Sequence, residues 1–102
     1  MIETPLGTID ADAVLHLSAT LTQLSLAQKP FSRFSQALPE RITVDAHAVR
    51  QCDSAGVAAL IWWCRYCRQQ NAHLVWRPLP ASITELAALY QIDFQAWTEY
   101  AD

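Results

Sequence analysis

Hydrophobic positions in this chain repeat first with the alternation of a strand and then with the period of a helix. Residues 6–9 and 14–18 read as two short strands around the turn-forming Asp10-Ala11-Asp12. In the second strand Val14, His16 and Ser18 share one face, and Leu15 and Leu17 share the other. Residues 19–29 carry no decisive period. Pro30 suits a first helical turn, so a helix is predicted over 30–38, with Phe31, Phe34, Ser35 and Leu38 on one side and Pro39 ending it. The β-branched run at 42–46 predicts a central strand. Asp53 or Ser54 can then cap a helix whose Val57, Leu60, Ile61, Cys64 and Cys67 form a buried stripe, ending near Gln70-Asn71. Residues 72–79 make the next strand, closed by Pro78 and Pro80. Ser82 followed by Glu85 reads as a capping box, with Ile83, Leu86, Ala87 and Tyr90 facing inward. The aromatic tail from 94 to 100 fits either a strand or a helical turn.

The order is β-β-α-β-α-β-α. Strand-helix-strand units imply parallel neighbours joined by right-handed crossovers, and the first pair adds an antiparallel element. The expected fold class is α/β: one domain over residues 1–102, a small mixed sheet with its helices packed mainly on one face. A chain of 102 residues that is 52% apolar and only 17% charged can bury a core, and its sparse charge coat leaves apolar surface for a partner.

Charge and cysteine usage narrow the classes. The net charge is −3 and the seven basic residues are scattered, so no nucleic-acid footprint is visible. No secretory signal follows Met1, and the apolar run 56–64 is too short to span a bilayer. A cytosolic protein with reduced thiols and no direct membrane insertion is expected.

No enzyme motif is found. With two glycines, Gly7 and Gly56, a phosphate-cradling Gly-rich loop is excluded. Ser54 lies outside a G-x-S-x-G elbow and has no sequence-adjacent His. Cys64 and Cys67 have C-x-x-C spacing, which admits redox chemistry or, with Cys52 and His47, zinc. The stronger reading makes them small hydrophobes on the helix stripe, with no metal and no cofactor. His16 and His73 read as ordinary strand residues. Ser54 has two compatible readings: part of a helix cap, or an exposed hydroxyl at the positive end of a helix, open to a partner's backbone or to phosphorylation.

The stretch "ITVDAHAVRQCDSAGVAALIWWCRYC" resembles the STAS domain family (sulfate transporter and anti-sigma factor antagonist). The resemblance lies in a strand ending at Val44-Asp45, the turn Asp53-Ser54-x-Gly56, and a helix rich in Val, Ala and Leu. It continues through "HLVWRPLPASITELAALY" and covers nearly the whole chain. Within the family, the short length and the "LAALYQI" ending look most like MlaB-like subunits of phospholipid ABC transporters. The resemblance implies Asp45 and Gly56 as structural turn residues. It implies a non-catalytic protein that binds a cytoplasmic ABC ATPase at the inner face of the inner membrane, with no small-molecule ligand. Its alternative is an anti-sigma factor antagonist switched by phosphorylation at Ser54.

Two adjacent tryptophans sharpen the expected binding face. With Val57 at zero and about 100° per residue, the buried stripe centres at about 310–340°. Trp63 falls at about 240°, on its flank, and Trp62 at about 140°, nearly opposite. Core packing accounts for Trp63. Trp62 either lies under a loop or the tail, or forms a partner-binding face with Asp53, Ser54, Ala58, Arg65 and Tyr66.

Overall fold

The computed structural model describes residues 2–27, 34 and 37–92. Its main sheet has five strands in the order β1 (Ile2–Thr4), β2 (Gly7–Ile9), β3 (Val14–Leu17), β5 (Arg41–Asp45) and β7 (His73–Trp76). β1, β2 and β3 pair antiparallel, while β3, β5 and β7 run parallel. A two-stranded parallel ladder, β4 (Thr20–Leu21) with β6 (Gln51–Cys52), stands apart. The helices are α1 (Gln23–Leu26), α2 (Ser54–Gln69) and α3 (Ala81–Leu89).

The sheet register explains why one face is apolar. Ile9 pairs with Leu15, Leu15 with Val44, Val44 with Trp76, and Ile42 with Leu74. Strand alternation therefore puts all of these on one face. They share a single core with Leu60, Trp63 and Cys67 of α2 and Ile83 and Ala87 of α3, so these helices cover that face. On the other face Thr8, His16, Thr43 and Val75 are exposed or half-buried, and Val14 and Asp45 are buried.

The α/β fold class and the mixed sheet match the sequence pattern, with differences that have local causes. β1 lies before the first predicted strand. Its three residues show no period, and Pro5 marks the turn in which Leu6 and Gly7 donate their N–H groups to Thr4 Oγ1. The unassigned stretch 19–29 contains β4 and α1. Most of the predicted helix over 30–38, and the tail from 94 to 100, lie outside the described residues.

Helix ends are decided by backbone geometry. Asn71 adopts a left-handed conformation, and Ala72 N–H bonds Cys67 C=O at 2.8 Å while Asn71 N–H bonds Arg68 C=O at 3.1 Å. This Schellman motif stops α2 at the predicted point. α3 does not use the predicted Ser82–Glu85 capping box. It starts at Ala81 after Pro80, whose carbonyl accepts the N–H groups of Ile83 and Thr84, and no side chain caps it. Tyr90 is not inward-facing: it is the C-cap of α3, 53% exposed, because the helical phase ends at Leu89.

Candidate protein-docking site

Two loops meet at the carboxyl ends of the parallel strands. β3 leads through β4 into α1, and β5 leads through β6 into α2. The β4–β6 ladder brings Leu21 opposite Cys52 and so places the starts of α1 and α2 side by side. Gly56, in the first turn of α2, lies against Leu21. A Cβ there would run into the Leu21 carbonyl oxygen and would stand 2.7 Å from Cys52 Sγ. Its lack of a side chain lets backbone meet backbone.

Asp53 is the N-cap of α2, and its Oδ1 accepts the Gly56 N–H at 3.1 Å. Its Oδ2 accepts the Gln23 N–H of α1 at 2.9 Å. These bonds, that from Gln23 foremost, hold its carboxyl below the usual carboxylate range. Ser54 follows as the first residue of α2 and is exposed. The two readings of Ser54 thus divide between neighbours: Asp53 caps, and Ser54 is exposed beside it.

A shallow groove of about 340 Å³ runs between the helices, with Gln23, Leu26 and Ala27 on one wall and Ala55, Ala58, Ala59 and Trp62 on the other. Its surface is almost wholly apolar. Leu24, next to it in sequence, is 89% exposed.

Of the residues singled out in the sequence, Ser54, Ala58 and Arg65 are exposed along α2, and Asp53 is half-buried at its start. Trp62 and Tyr66 are half-buried too. They stack on each other with centroids 5.5 Å apart, and Phe34 sits 6.1 Å from Trp62 and 5.1 Å from Tyr66. Trp62 packs against Phe34 and also lines the groove. Trp63 is fully buried. Gln23, Leu24, Leu26 and Ala27 were missed. A helix of four residues is too short to show a hydrophobic period.

Asp45 is buried at the end of β5. Its Oδ1 accepts the His47 backbone N–H at 2.9 Å and contacts His47 Nδ1 at 2.6 Å, and its Oδ2 accepts from Arg77 Nη1 at 2.7 Å. These partners, the His47 backbone N–H first, hold its carboxyl far below the usual range. Asp45 thereby ties the loop after β5 to the end of β7, a turn-fixing role.

The cysteines are free thiols. Burial pushes Cys64 up to about 12 and Cys52 up to about 11, and raises Cys67 further. Such thiols are poor nucleophiles at neutral pH. Among the described residues no three His, Cys, Asp or Glu side chains cluster as a metal site would require. No helix among them is long and apolar enough to cross a membrane.

A mixed sheet covered by helices on one face, with an aspartate-capped helix whose glycine presses on the neighbouring loop, defines a STAS-like α/β domain. A family model described as "Mlab, STAS domain" matches residues 6–94, and the chain belongs to this family. Domains of the family are generally non-catalytic. No curated protein and no solved structure matched the chain.

Proposed function

We propose that this chain is a non-catalytic subunit that binds the cytoplasmic ATPase of a phospholipid ABC transporter and supports its assembly and activity in outer-membrane lipid asymmetry. It sits at the inner face of the inner membrane through that partner. The observation that carries this reading is the apolar groove between α1 and α2, which opens beside the exposed Ser54 in a chain of the MlaB-type STAS family. Trp62, Ala58, Ser54, Arg65 and Tyr66 form the docking face along α2. Aromatic and Arg side chains are the types that dominate interface energetics.

A pull-down with the tagged full chain from native membranes tests the reading. A P-loop ATPase should be recovered in stoichiometric amount, and the chain alone should show no ATPase activity. Recovery of an anti-sigma kinase without an ATPase would sink the proposal. That outcome belongs to the second reading, a phospho-switched antagonist. One observation favours it: Ser54 stands exposed at the N-terminal, positive end of the long helix α2. Substantial phospho-Ser54 in cells, measured by mass spectrometry, would support it.

A further inference from the structure

We infer that Asp53 is a positioning residue for docking: its two carboxylate oxygens hold α1 beside α2 and so set the shape of the groove. The inference rests on the docking reading above. One oxygen serves α2 and the other reaches across 30 residues of sequence to the first N–H of α1. The Asp53 backbone adds to this, its N–H donating to Leu21 C=O at 3.1 Å.

Among the described residues, few other contacts hold α1 beside α2. It has four residues, far fewer than a helix needs to persist by its own propensity. Its capping box, Thr22 with Ser25, is local, and Ser25 Oγ adds one bond back to the Thr20 carbonyl of β4 at 3.0 Å, but neither residue reaches α2. Of its side chains Leu26 reaches the core, whereas Leu24 points into solvent. The facing wall on α2 is Ala55, Ala58 and Ala59 with Trp62 at its far end, and the short alanine side chains give α1 little to interlock with. The β4–β6 ladder fixes the chain as far as Leu21. Beyond Leu21, the Asp53–Gln23 bond joins the α1 backbone to the α2 cap. It is a charge-assisted bond, the stronger kind. The lowered pKa of Asp53, with the Gln23 N–H as its leading cause, agrees.

Asn and Ser at position 53 both remain good helix N-caps, yet each offers a single acceptor oxygen. Either variant should keep the Gly56 bond within its own turn and lose the distant Gln23 bond. The test uses the full chain in three forms: wild type, Asp53→Asn and Asp53→Ser. Amide hydrogen exchange is read at Gln23, Gly56 and Leu60, and affinity is read for the ATPase recovered in the pull-down. Exchange at Gln23 should rise about tenfold or more, the scale of one charge-assisted hydrogen bond, while Gly56 and Leu60 stay near wild type. Affinity should fall by about the same factor. A uniform rise at all three amides in both variants would make Asp53 a general stabiliser and overturn the inference. Selective loss at Gln23 with unchanged affinity would also overturn it, and so would unchanged exchange at Gln23. If the wild-type chain captures no ATPase, the docking reading falls and takes this role with it. If wild type captures it and both variants bind equally well, only the role of Asp53 falls.

Discussion

The two sides of α2 are built on different principles. The inner side, with Val57, Leu60, Trp63, Cys64 and Cys67, meets the sheet through large, fully packed side chains. The outer side, toward α1, lines the groove with Ala55, Ala58 and Trp62, and the groove remains open there. Tight packing fixes the inner side to a single arrangement. On the outer side α1 is placed instead by a loop ladder, one core leucine and a shared aspartate. The same helix thus anchors the fold on one side and leaves apolar surface available on the other.

Substitutions can break this contrast, and the largest effect belongs to the inner side. Trp63→Ala empties a fully buried site and should destabilise the domain by about 3–5 kcal/mol, measured by denaturant unfolding. Gly56→Ala comes next. Its methyl would press on the Leu21 carbonyl, and the backbone must shift at a cost of about 1–3 kcal/mol in the same measurement. Trp62→Ala should cost the free domain less, about 0.5–1.5 kcal/mol for its ring contacts with Phe34 and Tyr66. Its loss should show more strongly in the complex, where truncating an aromatic anchor weakens binding by about thirtyfold. If Trp62→Ala destabilises the free domain as much as Trp63→Ala, the two sides of α2 do not differ as described.

How much of this was legible in the sequence follows the range of the interactions. The α2 stripe and the contrast between Trp62 and Trp63 came from helical phase alone, because a helix as long as Ser54–Gln69 samples its period several times over. Asp53 and Gly56 were legible as a motif, because the cap bond between them lies within one turn, although the Leu21 backbone that Gly56 approaches was not. The α1 wall was not. Four residues carry no period, and the bond from Gln23 to Asp53 joins positions that only the β4–β6 ladder brings together. Ser82 and Tyr90 failed for a smaller reason: each sits within two residues of a helix end, where backbone turns override side-chain pattern.

Smaller effects concern charge. The Asp45 carboxylate, held low by His47 and Arg77, stabilises the fold above the ordinary carboxylate pKa of about 4, and this stability is lost as pH falls toward its lower folded value. Unfolding measured from about pH 6 to about pH 2 should therefore show a weaker acid dependence in Asp45→Asn than in the wild type. An unchanged slope would remove Asp45 as the source. The smallest effect is chemical. Cys52, only half-buried, should react with a thiol reagent at neutral pH before Cys64 and Cys67, all three more slowly than an exposed thiol.

Ala58 offers the most direct test of docking at the groove. It is exposed, lines the groove and lies within a helix that tolerates Arg. Ala58→Arg fills the groove with a long charged side chain and leaves the core untouched. Its affinity for the recovered ATPase should fall by about a hundredfold, a loss of about 2.7 kcal/mol, with unfolding of the free chain within about 0.5 kcal/mol of wild type. Wild-type affinity in Ala58→Arg would contradict docking at this groove and place the interface elsewhere on the domain.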